Sequence, residues 1–288
     1  MVSKIHFSRA SEGPKPFLRP VHIEDKICKQ LAALEAPLKK ATLQERDIAL
    51  IERRYKEGLA QAADVPNSKP IRDKAKEVRQ WIAQARRELK RRQFEETMAN
   101  FAKDDRPENI FKVLSSAEPS RSLLQAAQDF QQDVVNHPNL TLVYVNAQKS
   151  KGCYALNGEI SLRASLSFKS KVAYTLFELT NAINRSENID LIEKAKKREI
   201  TDAEYATQIE ASEYEGVKCF SEIMQRLIRE YGWDPDMDGY SDYLRGPWAT
   251  FQGYLAEQMA NGHYREYIKE YHAIQRLSSA NEILIPSE

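Results

Sequence analysis

Residues 71–89 read IRDKAKEVRQWIAQARREL, and this stretch decides the fold class of the chain. Its apolar residues follow one another at steps of four, three, four, three and four: Ile71, Ala75, Val78, Ile82, Ala85 and Leu89. A half-buried strand alternates with a period of two, whereas this spacing keeps one face of a helix apolar. The stretch therefore predicts a long amphipathic helix, which we expect to continue to about Phe101.

A second stripe with the same spacing lies before it, from Ile23 to Leu59. Pro37 interrupts this stripe, and a proline removes a backbone hydrogen bond, so we expect a kink or two helices meeting there. Two apolar stripes joined by a short loop bury each other most simply as an antiparallel helical hairpin. We therefore predict a flexible leader over 1–20 and a coiled-coil-like hairpin over 21–103.

The hairpin leaves two interpretations open, a partner-binding or dimerising arm and an ordinary helical bundle. Its second helix has a basic face, since residues 72–92 contain nine basic and three acidic side chains. The whole chain is balanced, however, with 43 Lys and Arg against 42 Asp and Glu. Because the basic face also lacks interleaved aromatic residues, we predict no nucleic-acid partner, although phosphate or anionic lipid contact stays open there.

Composition and motifs exclude several other classes of protein. The three isolated cysteines cannot build a disulfide framework, and no phosphate-binding glycine motif is present. No apolar run is long enough for a membrane span, and the first residues lack the apolar core of a secretory signal. We expect a soluble protein that is cytoplasmic, or secreted into a host or target cell without a classical signal peptide.

The character of the sequence changes after residue 138. Residues 140–145 read LTLVYV, and short β-type runs follow at 153–156 and 160–162 around a turn at Asn157-Gly158. From Phe168 onward the apolar spacing is helical again. The fold class predicted is mainly α, of the α+β type, with a small sheet of two to three strands packed on helices in a second domain over 104–288.

Two segments of this second domain, 152–162 and 172–182, resemble the core of the small zincin metallopeptidases. In that family a short edge strand precedes a helix with the motif His-Glu-x-x-His. Here Glu178 matches the general-base glutamate, while Phe177 and Asn181 stand where the two ligand histidines belong. The resemblance implies a zincin-like fold that has lost its metal ligands.

The lost ligands change the expected chemistry. Phenylalanine cannot bind a metal and asparagine is a poor zinc ligand, so we predict no metal and no cofactor. The family's third ligand lies on a later helix, where the resemblance implies Glu210 or Glu213. Degenerate zincin-like domains occur in bacterial toxins and effectors, and the resemblance therefore implies a pseudo-metallopeptidase of that kind.

Tyr174, Glu178, Asn181 and Arg185 share the polar side of the motif helix. One interpretation is a polar cleft in which Glu178 acts as an acid or base and Asn181 orients a substrate carbonyl. The other is a plain solvent-exposed face. The spacing alone does not decide between them.

Glu213 occupies a position in the apolar stripe of the helix over 202–231, between Ile209 and Val217. A buried carboxylate is costly unless it is paired, so Glu213 needs a partner. We predict that Glu178 and Glu213 face each other across two packed helices. The predicted catalytic residues are Glu178, Asn181, Glu213 and Tyr174.

The leading functional prediction is an effector- or toxin-like protein that acts mainly by binding a protein partner. The alternative is a metal-independent hydrolase or transferase in which Glu178 and Glu213 serve as acid and base, because carboxylates in unlike environments can take opposite roles. A purely structural helical protein is the third possibility. Substrate, partner identity and oligomeric state stay open at this point.

Overall fold

A computed structural model describes residues 20–40, 43–63, 65, 68–133, 140–146, 152–154, 158–184, 186–233 and 246–283. The chain divides into two compact units, Met1–Leu89 and Lys90–Glu288. This division lies within a long helix and earlier than the predicted boundary at residues 103–104. The predicted leader lies outside the described residues, apart from Pro20, at which the first helix begins.

The first unit consists of helices only within its described residues. They are α1 (Pro20–Ala32), α2 (Glu35–Leu38), α3 (Glu45–Ala62) and the first part of α4 (Lys69–Phe101). The predicted interruption near Pro37 is present as two breaks with the short helix α2 between them. Pro37 lies in the first turn of α2, where a missing backbone N–H has no intrahelical partner to lose.

Helices α3 and α4 pack antiparallel. The Tyr55 hydroxyl donates a hydrogen bond to the carbonyl of Ala75 (3.2 Å) and accepts one from Arg79 Nε (2.6 Å). One turn earlier on α3, Glu52 pairs with Arg86, at 2.8 Å. Residues later in α4 therefore contact residues earlier in α3, which confirms the hairpin predicted from the two apolar stripes.

The second unit contains the rest of α4, further helices and the sheet. Its elements are α5 (Pro107–Ser116), α6 (Glu118–Asp133), β1 (Thr141–Val145), β2 (Gly152–Tyr154), β3 (Glu159–Arg163), α7 (Phe168–Asn184), α8 (Ser186–Lys196), α9 (Asp202–Tyr231), α10 (Phe251–Asn261) and α11 (His263–Ile283). The strand order is β1-β3-β2, with β3 parallel to β1 and antiparallel to β2. The prediction of a mainly helical chain with a small sheet is confirmed.

Helix α7 lies at the centre of this unit, packed against α5, α6, α9 and the sheet. Val172, Leu176 and Leu179 are completely buried in the apolar core, as expected for its apolar side. Its polar side is buried as well, because Tyr174 is 7% exposed and Glu178 is 5% exposed. Their burial excludes the plain solvent-exposed face that the sequence analysis left open. The prediction for Arg185 lies outside the described residues.

A buried cation lies near the start of α7. The Lys171 side chain is 2% exposed, forms an ion pair with Asp105 and lies 4.0 Å from the centre of the Tyr144 ring. The Tyr144 hydroxyl donates to the same carboxylate, at 3.0 Å. Burial and this hydrogen bond raise the pKa of Tyr144. The three side chains thus connect the segment after α4 with β1 and α7.

In the described parts of the chain, no helix combines the length and the apolar character that crossing a membrane requires.

Candidate functional site

Both ends of α9 are fixed by local interactions, which set the positions of its acidic residues. At the first end, the Thr201 hydroxyl accepts a hydrogen bond from the Glu204 N–H (3.2 Å), and the Glu204 carboxylate accepts one from the Thr201 N–H (2.8 Å). This reciprocal arrangement is a capping box. At the other end, Gly232 has a φ of 63°, in the left-handed region that favours glycine.

Helix α11 follows α10 after one residue, Gly262, which has a φ of 90°. The side-chain oxygen of Asn261 accepts a hydrogen bond from the backbone N–H of His263, at 2.9 Å. His263 is therefore the first residue of α11, at a tight turn beside α9. The chain reversal brings an imidazole from the turn to the acidic residues of α9.

Glu210, Glu213 and His263 form a compact group that we call the acid–histidine cluster. His263 Nδ1 lies 3.1 Å from Glu210 Oε1 and 3.8 Å from Glu213 Oε2. One ligand atom from each residue lies within 4.8 Å of the other two. The Glu210 side chain is completely buried, whereas 26% of Glu213 and 43% of His263 are exposed. The cluster is thus closed on one side and open to solvent on the other.

Two tyrosines hold the Glu213 carboxylate. The Tyr267 hydroxyl donates a hydrogen bond to Oε1, and the Tyr254 hydroxyl donates one to Oε2, at 3.5 Å. Tyr267 lies one turn after His263, and their rings meet edge to face with centres 5.1 Å apart. Burial and the negative charge of Glu213 raise the pKa of Tyr267, so its hydroxyl stays a hydrogen-bond donor at neutral pH.

The acidic groups of the cluster favour the protonated form of His263. The hydrogen bond with Glu210 raises the pKa of His263, against the effect of burial, and the charges of Glu213 and Glu266 act in the same direction as Glu210. Glu210 Oε2 is buried and has no hydrogen-bond partner in the described structure. A buried acceptor without a donor costs free energy and requires an explanation.

The fully buried acid of α9 is therefore Glu210, and not Glu213 as the sequence analysis expected. Glu210 is 0% exposed, whereas Glu213 keeps part of its surface in contact with solvent. Glu213 is in register with one apolar stripe, but α9 packs against α6, α7, α8, α10 and α11. With neighbours on several sides, a single stripe does not identify the most buried position.

Contacts between α7 and α9 fix how the two helices run past each other. The Ser212 hydroxyl donates a hydrogen bond to the carbonyl of Asn184, at 3.0 Å. At the other end of the contact, the rings of Phe177 and Phe220 meet edge to face with centres 5.5 Å apart. The helices are antiparallel, and Phe177 packs against an aromatic ring where the family motif has a ligand.

This register separates two of the predicted catalytic residues. Glu178 lies level with the turn of α9 near residue 219, roughly 9 Å along the axis from Glu213. It accepts a hydrogen bond from Asn181 Nδ2 (3.3 Å), and the other side of Asn181 lies against Gly216. Tyr174 belongs to the apolar core. Glu178, Asn181 and Tyr174 are not among the three residues of the acid–histidine cluster, and the face-to-face pair of Glu178 and Glu213 stays a prediction.

Sequence reasoning missed His263 and Tyr267 completely, and it considered Glu210 only through the zincin resemblance. The available signal was weak: Glu210 and Glu213 are one helical turn apart, and His263 follows an Asn-Gly pair that ends a helix. Nothing in the spacing indicates that these two places meet in the fold.

Comparison with protein-family models, with curated proteins and with solved structures finds no match for this chain. The zincin resemblance, and the effector- or toxin-like role that it implies, therefore stay predictions. The acid–histidine cluster does not depend on them, because it uses neither Phe177 nor Asn181.

Proposed function

We propose that the acid–histidine cluster binds a divalent transition-metal ion through Glu210, Glu213 and His263. One observation carries the proposal: three potential ligand atoms gather within 4.8 Å of one another around a carboxylate with a buried, unpartnered oxygen. A cation bound by both oxygens of Glu210 would give Oε2 the partner that the described residues do not supply. It would also neutralise two carboxylates that lie close together.

The spacing of the ligand atoms supports this proposal. Metal–ligand bonds from imidazole or carboxylate to zinc are about 2.0–2.2 Å long, so donors around a tetrahedral ion lie roughly 3.4 Å apart. The two distances from His263 Nδ1 to the carboxylates, 3.1 Å and 3.8 Å, lie on either side of this value. Small side-chain movements would therefore complete the coordination.

The types of ligand indicate the class of metal. Imidazole with carboxylates suits Zn²⁺, Mn²⁺, Fe²⁺ or Co²⁺, whereas Ca²⁺ and Mg²⁺ prefer oxygen ligands only. The proposed ion is therefore a transition metal or zinc. This proposal departs from the prediction of no metal, which rested on the replacement of the motif histidines by Phe177 and Asn181, and it places the ion at other residues.

Three protein ligands leave at least one coordination position for water, which is the usual arrangement of catalytic zinc sites. The exposed parts of Glu213 and His263 would place that position on the solvent side. A bound metal ion lowers the pKa of its water and makes it a nucleophile at neutral pH. We infer that the reaction class is hydrolysis by a metal-activated water, with Tyr267 orienting the Glu213 carboxylate.

Isothermal titration calorimetry on the full chain without a histidine tag tests the binding. We expect about one Zn²⁺ or Mn²⁺ per chain, with Mg²⁺ much weaker under the same conditions. Glu210→Gln and His263→Gln should each weaken binding by at least about tenfold, because each removes a ligand. Far-UV circular dichroism checks that every variant is folded, and Glu213→Gln replaces any variant that is not.

Two matched controls lie on the same helices. His272→Gln removes an exposed histidine of α11, which pairs with Asp202 at 3.4 Å, and Glu215→Gln removes an exposed acid of α9. Both variants should bind like the wild-type protein. A wild-type chain that binds no ion, or ligand variants that bind as tightly as these controls, would overturn the proposal.

A second measurement tests the open coordination position. In the Co²⁺-loaded protein, azide should shift the visible absorption bands, because a small anion can replace the bound water. Bands that do not respond to azide would indicate a closed, structural site. That result would contradict hydrolysis as the reaction class and leave metal binding in place.

A further inference from the structure

The first unit contains a groove of about 460 Å³ between the end of α3 and the start of α4. Its volume is in the range of small ligand sites, enough for one or two side chains and too small for a whole domain. The residues that line it divide into an apolar floor and a basic rim. The floor is formed by Leu59, Ala62, Ala63, Val65, Ile71 and Ala75, and the rim by Ser68, Arg72, Lys76 and Arg79.

The floor exposes part of the apolar core of this unit. Ile71 and Ala75 are 5% and 6% exposed and belong to that core, while Leu59, Ala62 and Val65 pack against it with part of their surface open. An apolar surface that continues from a core into a concave opening is a usual anchor point for a large side chain of a partner.

The rim gives the groove a positive potential. Arg72 and Lys76 are exposed, and Arg79 donates a hydrogen bond to the Tyr55 hydroxyl, at 2.6 Å. None of the described lining residues is acidic. The N-terminal end of α4, at Lys69, adds the partial positive charge of a helix dipole on the same side. The groove therefore complements a negative ligand, although the whole chain has a net charge of only +1.

We propose that this groove docks an acidic peptide segment of a protein partner. One large apolar side chain of the segment contacts the floor between Leu59 and Ile71, and carboxylates beside it pair with Arg72 and Lys76. A peptide fits better than a nucleic acid because no described lining residue is an aromatic side chain on which a base could stack. The proposal goes beyond the metal site and uses residues of the first unit only, so that the two proposals fail independently.

Fluorescence anisotropy with three synthetic peptides tests this docking on the full chain. The first peptide combines glutamate and aspartate with a central phenylalanine, the second has serine in place of that phenylalanine, and the third has lysine in place of every acid. We expect the first to bind and the other two to bind at least about tenfold more weakly. Raising the salt concentration should weaken the first complex, because its ion pairs lie at the surface.

Variants of the rim and the floor locate the contact. The double variant Arg72→Glu/Lys76→Glu should weaken binding of the first peptide by about tenfold or more. Leu59→Ser should weaken it through the floor. Arg87→Glu reverses an exposed charge of the same helix outside the groove, and it should bind like the wild-type chain. If circular dichroism shows that the double reversal is unfolded, Arg72→Gln/Lys76→Gln takes its place.

Three results would overturn the proposal. Equal binding of all three peptides would exclude recognition of both charge and anchor. Rim variants that bind like Arg87→Glu would place the contact elsewhere on the basic face. Displacement of the first peptide by vesicles of phosphatidylcholine with phosphatidylserine, or by single-stranded DNA, with a stronger dependence on the same rim residues, would assign the groove to a lipid or a nucleic acid.

Discussion

Helices α4 and α9 have similar lengths, 33 and 30 residues, and opposite kinds of buried face. From Ile71 to Leu89 the buried side of α4 contains apolar residues alone. The buried residues of α9 include Glu210, and Glu213 lies one turn further on the same side. The buried face of α4 is therefore suited to packing alone, whereas that of α9 also contains Glu210, a carboxyl group that apolar packing does not explain.

The difference has an energetic meaning. Complete burial of one large aliphatic side chain stabilises a fold by about 1.5–3 kcal/mol, so the α4 face contributes directly to stability. A buried carboxylate is unfavourable unless a partner compensates it. Charged groups that proteins keep in such positions are often functional, and removing them frequently leaves stability unchanged or higher. Changes on the two helices should therefore have opposite effects.

The largest effect is expected on α4. Val78 is 0% exposed, so Val78→Asp buries an unpaired charge in the apolar face. We expect this change to lower the free energy of unfolding of the first unit by about 3–5 kcal/mol. Urea denaturation followed by far-UV circular dichroism measures the loss, since the described residues of the first unit are mainly helical.

Gln80→Asp is the matched control, since Gln80 is exposed two positions further along α4. It should change stability by no more than about 0.5 kcal/mol. Equal stability of the two variants would mean that Val78 does not lie in a packed face. The antiparallel arrangement of α3 and α4 would then be wrong.

The next effect concerns the metal proposed for the acid–histidine cluster. A ligand that binds only the folded state stabilises it by about 2.7 kcal/mol at a free concentration of 100 times its dissociation constant. Zn²⁺ or Mn²⁺ at that level should raise the melting temperature of the wild-type protein and of His272→Gln. The melting temperature of Glu210→Gln should rise by about half as much or less, because this variant binds the ion at least about tenfold more weakly. A uniform rise in all three proteins would indicate non-specific binding.

The contrast between the two helices also explains which features of the fold could be predicted from the sequence. The α4 face is a property of one continuous segment, so the spacing of Ile71, Val78 and Leu89 was sufficient to predict it. The helix over 202–231 was predicted in the same way from its apolar period, whereas the capping box of Thr201 and Glu204, which fixes its first turn, was not used in that prediction.

The acid–histidine cluster could not be predicted in this way. It depends on the turn at Gly262, which brings His263 from a distant segment against α9, and no local pattern contains that contact. Glu213 was recognised as unusual, but Glu210 is the completely buried acid, because burial on α9 depends on contacts with several neighbouring helices. Spacing within one segment predicts the element, whereas the site depends on how several elements meet.

A smaller effect is expected from Glu210→Gln without metal. The wild-type chain buries the Glu210 carboxyl group with one oxygen that has no partner among the described residues, whereas glutamine places a neutral amide there. We expect the variant to be as stable as the wild type or more stable, by up to about 2 kcal/mol. Urea denaturation followed by circular dichroism measures the difference.

The exposed control Glu215→Gln should stay within about 0.5 kcal/mol of the wild type. A clear loss of stability in Glu210→Gln would show that the carboxylate is a structural partner of His263. In that case α9 would resemble α4, and the contrast between the two helices would disappear.

The smallest effect is the pH dependence that His263 gives to the second unit. Its imidazole is faced by Glu210 and Glu213 from α9 and by Glu266 and Tyr267 from its own helix, and the hydrogen bond with Glu210 is the main cause of its raised pKa. A group with a raised folded-state pKa stabilises the fold fully below its unfolded pKa of about 6.5. That stabilisation is lost as the pH rises through the folded-state pKa.

We therefore expect the free energies of unfolding of the wild type and of His263→Gln, measured without metal, to differ most below about pH 6.5. The two values should converge as the pH rises through the folded-state pKa of His263. Saturating Zn²⁺ should reverse the trend, because a metal binds the deprotonated imidazole and competes with the proton for Nδ1. The advantage of the wild type should then grow with pH, while His272→Gln follows the wild type under both conditions. A trend that zinc leaves unchanged would assign His263 to a proton-linked ion pair with Glu210 and remove it from the proposed metal ligands.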